Sequence, residues 1–317
     1  MRKVLITGIA GFVGSHLAER LSGSFEVWGT HIDENNGNLD GIGGLNLIRC
    51  DLLDAKAVTE AVSRVRPAAI VHLAALSTPA YSFENPAETL RNNIFSTLNI
   101  FEATAKACHE AVILNIGSGD EYGDVREADL PLKETAQLRP LNPYSVSKVT
   151  TDLLGFQYWK SKGLNIVRCR PFNHIGPRQA PHFVAPAFAR QIAECEAGLK
   201  DEKIITVGNL ESSKDFLDVR DVTSAYELLI EKGEYGEVYN ICSGRVVKIR
   251  WMLETLLSFS SESIEVVEDA AKMRPTDSLA IYGDASKLRA LGWEPHYPLS
   301  EGLRALLDFW RLKTRQI

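Results

Sequence analysis

The chain has 317 residues, 45% of them hydrophobic and 24% charged, with a formal net charge of −6. That length buries a sizeable core without disulfides or metal, and at roughly 100–200 residues per domain it sets an expectation of two domains. The acidic balance argues against nucleic acid as a partner, and no apolar run approaches the ~20 residues of a membrane span.

Lys3–Thr7 is a short apolar run ending at a glycine, and Phe12–Leu21 places Val13, Leu17 and Leu21 at helical spacing. Glu26–Thr30 and Asn46–Arg49 read as strands, and Ala55–Val65 reads as a helix. Ala69–Leu73 is a strand that is apolar except for His72. Glu88–Cys108 reads as a long helix with Leu90, Ile94, Leu98 and Phe101 on one face. Val112–Ile116 and Asn165–Arg168 are further strands, separated by a helix from about Tyr144 to Lys160. This alternation implies βαβ units and an α/β, doubly wound parallel sheet covered on both faces. Beyond Asn173 the rhythm breaks and Pro177, Pro181 and Pro186 appear. Leu217–Leu229 and Val238–Ile241 read as a helix and a strand returning to the first unit. The expected layout is a dinucleotide-binding domain over 1–173 with a return segment over 209–242. A smaller substrate-binding α/β domain is expected over 174–208 and 243–317, with the ligand between the two.

Cys50, Cys108, Cys169, Cys195 and Cys242 are odd in number and form no CxxC pair. They read as buried thiols of a reducing compartment. Met1-Arg2-Lys3-Val4-Leu5-Ile6-Thr7-Gly8 enters a strand at once, so a cytoplasmic location is expected. His174 and His182 lack metal-ligand spacing, so no metal site is expected, and His72 reads as a packing residue. Tyr81 and Phe83 either line the ligand pocket or cover the core.

Gly8, Gly11 and Gly14 fall between the first strand and the first helix. Glycine there allows a tight turn, close approach of backbone to a pyrophosphate, and close helix–strand packing. The helix start, with Phe12 and Val13, offers free N–H groups and a positive dipole end. A Rossmann dinucleotide site is therefore expected. The acidic residue that grips the adenosine ribose belongs at the end of the second strand. Asp33 is the candidate, and no Arg or Lys stands beside it in Gly29-Thr30-His31-Ile32-Asp33-Glu34 to meet a 2′-phosphate. The reading is NAD or NADP, leaning to NAD.

Tyr144 and Lys148 are four apart on one helix and share a face. An ammonium near a phenol lowers its pKa, and such a Tyr can pass a proton to an oxygen that alternates between carbonyl and alcohol. With the glycine motif, Asp51, His72-Leu73-Ala74-Ala75, Asn93 and Ser118 ahead of Tyr122-Gly123, the chain resembles the extended short-chain dehydrogenase/reductases, the NAD-dependent epimerase/dehydratase family. The resemblance covers essentially the whole chain. It implies a catalytic set of Ser118, Tyr144 and Lys148. It also implies cofactor contacts from Asp51, Leu52, Leu73, Ala74, Ala75, Asn93 and Pro171, and a homodimer packed through the helices of Glu88–Cys108 and Tyr144. A cofactor-binding regulator that has lost its chemistry is the non-enzyme alternative, and the survival of Ser118, Tyr144 and Lys148 argues against it.

Pro171-Phe172-Asn173-His174-Ile175-Gly176-Pro177, Lys214-Asp215-Phe216-Leu217-Asp218-Val219-Arg220-Asp221 and Arg274-Pro275-Thr276-Asp277 resemble the nucleotide-sugar branch. By that resemblance Asn173 and Arg274 contact a substrate diphosphate, and Ser77, Phe183 and Val184 join Ser118 and Tyr144 around the substrate. Lys214 replaces the Arg of the branch and lacks its bidentate fork. In the 4,6-dehydratases of the branch a Glu follows the Ser/Thr by two residues as elimination base. Here that place holds Asp120, one methylene shorter, preceded by Gly119. Phe172–Pro177, Val207–Glu211 and Tyr239–Gly244 most resemble the reductases of GDP-4-keto-6-deoxy-hexoses. Reduction of a GDP-linked 4-keto sugar is expected, with dehydration or 4-epimerisation as the alternative.

Overall fold

The computed structural model describes residues 1–32, 37–269 and 280–315. The chain opens with β1 (Lys3–Thr7), α1 (Phe12–Leu21), β2 (Glu26–His31), β3 (Asn46–Arg49), α2 (Ala55–Val65) and β4 (Ala69–His72). It continues through α3 (Pro79–Glu84), α4 (Pro86–Ala107), β5 (Val112–Ile116), α5 (Pro143–Lys162) and β6 (Asn165–Pro171). Then come β7 (Asn173–Ile175), α6 (Val184–Glu196), β8 (Ile204–Val207), β9 (Ser213–Lys214), β10 (Phe216–Asp218), α7 (Val219–Lys232) and β11 (Val238–Ile241). The last elements are β12 (Val247–Lys248), α8 (Ile249–Ser258), β13 (Glu265–Glu268), α9 (Ser286–Ala290) and α10 (Leu299–Thr314).

The elements differ from the sequence expectation in three places. Three helices start on prolines, Pro79 for the unexpected α3, Pro86 for α4 and Pro143 for α5, because a fixed φ suits the first helical position. Strand β6 runs to Pro171, where it pairs with Ile241 of β11. Leu217 and Asp218 form strand, not helix. The Asp218 carboxylate accepts from Arg220 N at 2.8 Å and so starts α7 at Val219.

Among the described residues the main sheet has the order β11-β6-β5-β4-β1-β2-β3, and each neighbouring pair is parallel. Strand order reverses between β1 and β4, and ligands of open α/β sheets sit at the carboxyl ends beside such a reversal. One apolar core joins α1, α7 and β11 to a face of the sheet through Leu17, Leu21, Tyr226, Leu229 and Tyr239. A second covers the opposite face with α2, α4 and α5 through Val58, Val62, Phe101 and Tyr158. A third lies apart, where α6, α8 and α10 bury Phe188, Ile192, Met252, Leu256, Leu303 and Leu306.

Candidate active site

The carboxyl ends of β1, β4 and β5 converge on one edge of the sheet. After β1, Gly8 turns at φ +66°, and a Cβ there would lie 3.0 Å from Ala74 Cα. A Cβ on Gly14 would lie 2.3 Å from Gly8 O, so α1 sits hard against the turn. Gly11 precedes α1 with no side-chain cap, and the first turn holds no acidic residue. The N–H groups at the start of α1 are therefore left for an anion, which fits a dinucleotide pyrophosphate. The Phe12 ring stacks on His174, with centroids 5.7 Å apart. Only the backbone of Phe12 is turned to that role.

The next wall, Leu73–Ala75, is set by a hydrogen-bond chain. Ala74 N donates to Thr7 Oγ1 at 3.1 Å, Thr7 Oγ1 lies 2.8 Å from His72 Nδ1, and His72 Nε2 lies 3.0 Å from Thr97 Oγ1. Thr97 Oγ1 in turn donates to Asn93 O at 2.8 Å. Because Thr97 gives its proton to Asn93 O, it accepts from His72 Nε2, which therefore carries the ring proton and leaves Nδ1 to accept from Thr7. Burial pushes the His72 pKa down to about 3, so it is neutral. Asn93 continues the network: Oδ1 accepts from Leu76 N at 2.8 Å, and Nδ2 donates to Leu76 O and to Ser147 Oγ. Both its N–H groups are thus committed to protein, and it acts on a ligand through the Leu76 loop rather than directly.

Beyond β5, Ser118 caps a short 3-10 turn over Gly119–Glu121 and accepts from Asp120 N at 3.1 Å. Asn142 caps α5 by accepting from Ser145 N at 2.8 Å, which sets Tyr144 in the first turn. Tyr144 and Lys148 are both buried. The Lys148 ammonium donates to Ile116 O at 2.7 Å and lies 6.0 Å from the centroid of the Tyr144 ring. Ser118, Tyr144 and Lys148 are therefore brought together. The expected lowering of the phenol pKa does not occur. Burial and the Asp120 carboxylate hold Tyr144 above the ordinary phenol range, and a hydrogen bond to Ser118 only partly opposes them. Burial also brings the Lys148 ammonium down to about 8. Asp120 itself is exposed.

The remaining candidates spread over several elements. His182 Nε2 lies 3.1 Å from Thr78 Oγ1, which joins the Ser77–Thr78 loop to the start of α6. Phe183 precedes α6 without a side-chain cap, and Val184 begins it. Asn173 donates to Asp215 O at 3.1 Å. Lys214 sits half-buried in β9, opposite Val247. Pro171 is buried at the end of β6. Asp51 is exposed beyond β3 and accepts from Leu53 N at 2.9 Å, with Leu52 buried beside it. Asp33 and Arg274 lie outside the described residues. Tyr81 and Phe83 do not cover the core: both are exposed, and Tyr81 Oη donates to Glu88 at 2.6 Å.

Sequence reasoning missed several residues here. Thr7 and Thr97 orient His72, and Phe172 packs over Gly119. Asp215 accepts from the backbone of Ser243, Gly244 and Gly283, tying together the loops after β9, after β11 and before α9. A cation also stands near the glycine turn: Lys313 of α10 lines a cavity of about 200 Å³ with Ala10, Gly37 and Asn38. A search for cations confined to the end of β2 misses a residue delivered from the far end of the chain.

Comparison with known proteins places this geometry among nucleotide-sugar enzymes. A family model described as GDP-mannose 4,6 dehydratase matches residues 5–306. The chain is 36% identical over 316 residues to the GDP-6-deoxy-D-mannose reductase of Pseudomonas aeruginosa, covering 99% of both chains. It is 29% identical to the GDP-6-deoxy-D-talose 4-dehydrogenase of Aggregatibacter actinomycetemcomitans, over 90% of each. Among solved structures it is similar to RMD from Pseudomonas aeruginosa complexed with NADPH. There the TM-score is 0.86, the identity 36%, and the coverage 99% of this chain and 100% of that one. The UDP-glucose 4-epimerase of Thermus thermophilus in complex with NAD is similar at TM-score 0.86 and 29% identity, over 98% and 99% of the two chains.

Proposed function

The chain belongs to the GDP-mannose 4,6-dehydratase family, and on that footing we propose that it reduces the 4-keto group of a GDP-4-keto-6-deoxy-hexose with a nicotinamide dinucleotide, giving a GDP-rhamnose-type product. The observation that carries this reading is the convergence of Ser118, Tyr144 and Lys148 beside the open glycine turn, in a chain similar from end to end to a GDP-6-deoxy-D-mannose reductase.

Gly8, Gly11, the start of α1 and Leu73–Ala75 would hold the dinucleotide, which supplies hydride when bound. The protein's own part is the proton. Tyr144 keeps its proton at neutral pH, because burial holds its pKa high, and gives it to the C4 oxygen as that oxygen becomes an alcohol. Ser118 hydrogen-bonds the same oxygen, and the Lys148 ammonium stabilises the phenolate left behind. On the substrate side, the open N-terminus of α6 at Phe183 and Val184 suits a diphosphate, with Asn173 beside it.

Two features favour reduction over dehydration. Elimination needs a base at C5 as well as Tyr144, and Asp120 is shorter than the Glu expected there. Phe172 also packs over Gly119, where a Cβ would lie 3.1 Å from its ring. Dehydration of GDP-mannose remains the second reading because the Asp120 carboxylate is exposed and acts on Tyr144. Purified protein given the GDP-4-keto-6-deoxy sugar with NADH or NADPH is expected to consume cofactor stoichiometrically and to leave GDP-mannose unchanged. Conversion of GDP-mannose to the keto sugar without net cofactor loss would overturn the reductase reading.

We also propose a homodimer through α4 and α5, where Phe95, Leu153 and Phe156 are exposed at 52%, 58% and 43%. A cytoplasmic location is part of the same reading and is supported by five free cysteines.

A further inference from the structure

The turn that carries Ser118 is closed from behind by a buried acid. Glu121 is fully buried. Its Oε1 accepts from Ser118 N at 2.8 Å, completing a reciprocal cap in which Ser118 Oγ accepts from Asp120 N. The fit is tight, because a Cβ on Gly117 would lie 2.1 Å from Glu121 Oε1. The other oxygen, Oε2, lies 3.0 Å from Arg170 Nε but has no hydrogen-bond partner of good geometry. Arg170 gives its hydrogen bonds to Asp152 of α5, Tyr122 Oη and Glu134 O. Asp152 also pairs with Arg168 at 2.9 Å.

This arrangement exceeds what a turn needs. Backbone capping alone is met by an exposed Glu or Gln at the third position, whereas burying a carboxylate costs several kcal/mol unless it is paired. Glu121 is thrust among charges, and the same wall holds the reacting groups. Ile116, two residues before Ser118, is the acceptor for the Lys148 ammonium. A displacement of this turn therefore moves the Ser118 hydroxyl and the Lys148 anchor together.

We propose that Glu121 is a positioning residue for the reaction: it locks the Ile116–Asp120 wall that presents Ser118 and anchors Lys148. The inference rests on the proposed assignment of Ser118, Tyr144 and Lys148 to the chemistry. The groups facing Glu121 are Arg170 of β6, Asp152 of α5 and the Ser118 amide; those bearing on Lys148 are Glu121 and the neutral His72. Burial and the neighbouring Asp152 push the Glu121 carboxyl up toward its neutral form, so its hold on the wall is the hydrogen bond it accepts from Ser118 N rather than a charge.

The experiment compares wild type, Glu121→Gln and Glu121→Ala. Lys148 is followed by NMR of ¹³Cε-lysine-labelled protein, assigned with Lys148→Arg. Glu121→Gln keeps an acceptor for Ser118 N, so kcat and the Lys148 titration are expected to stay close to those of wild type. Glu121→Ala loses the acceptor and is expected to lower kcat about tenfold or more while KM changes little, and to shift the Lys148 titration as its Ile116 anchor moves. An unshifted Lys148 titration with unchanged kcat in Glu121→Ala overturns the proposal. Equal thermal losses in both variants with unchanged kcat overturn it too, since they mark a purely structural acid. Failure of wild type to reduce the keto sugar counts against the proposed reaction alone, because the Lys148 titration is read without substrate.

Discussion

The ring of Phe172 occupies the space over Gly119: a Cβ at position 119 would lie 3.1 Å from ring carbons Cγ and Cδ2. The far edge of the ring already rests against the Gly283 backbone, so closely that a Cβ there would lie 2.7 Å from it, which limits its retreat. Gly119→Ser is therefore expected to destabilise the fold by about 1–3 kcal/mol through overpacking. Urea unfolding measures this directly, and an unchanged midpoint would show that Phe172 yields.

The Lys148 ammonium has a second consequence at alkaline pH. Its pKa is brought down to about 8 by burial, below the usual lysine range. The charged form that steadies the Tyr144 phenolate is thus present below about 8 and is lost as pH rises through that value. A kcat profile falling above pH about 8 is expected, and Lys148→Met should remove that limb along with most of the activity. A wild-type rate that stays flat to pH 10 would contradict the assignment.

Acid stability follows from the buried histidines. His72 is lowered to about 3 and His16 to about 4, in both cases mainly by burial. The unfolded chain takes up protons near pH ~6.5, whereas the folded chain does not until the lower values. Stability from this source is complete above ~6.5 and declines as pH falls toward about 4. Urea midpoints at pH 7 and pH 5 should differ more in wild type than in His72→Asn, and equal differences would refute the account.

Lys313 bears on the choice between NADH and NADPH. It lines the cavity beside Ala10, Gly37 and Asn38, and a 2′-phosphate bound in that cavity would pair with its ammonium. Lys313→Ala is expected to raise the Kd for NADPH about fivefold, the scale of one exposed charge pair, and to leave NADH binding unchanged. Fluorescence titration with both cofactors decides the matter, and equal effects on the two would exclude a phosphate contact.

The exposed apolar residues on α4 and α5 lead to a test of assembly. Leu153→Glu places a charge on that face and is expected to turn the proposed dimer into a monomer in light scattering at micromolar concentration. A wild-type monomer would dispose of the dimer proposal outright.

Much of this protein was readable from the chain itself, because its signals are short-range. Apolar periodicity set the alternation of strands and helices, the Gly8-Ile9-Ala10-Gly11-Phe12-Val13-Gly14 run marked the turn at α1, and an i, i+4 spacing put Tyr144 and Lys148 on one face. Each depends on a few neighbouring residues and on backbone sterics. What the tertiary structure alone decided depends on burial and on partners distant in sequence. Tyr144 is raised rather than lowered because the fold desolvates it and sets Asp120 nearby. Glu121, one residue from an exposed Asp120, lies in the interior beside Arg170, which is 49 positions further along the chain on the neighbouring strand β6. Asn93 turned out to hold the Leu76 loop, and Lys313 came to the glycine turn from the last helix. Desolvation and through-space charge have no one-dimensional pattern, so they become visible only when the chain is folded.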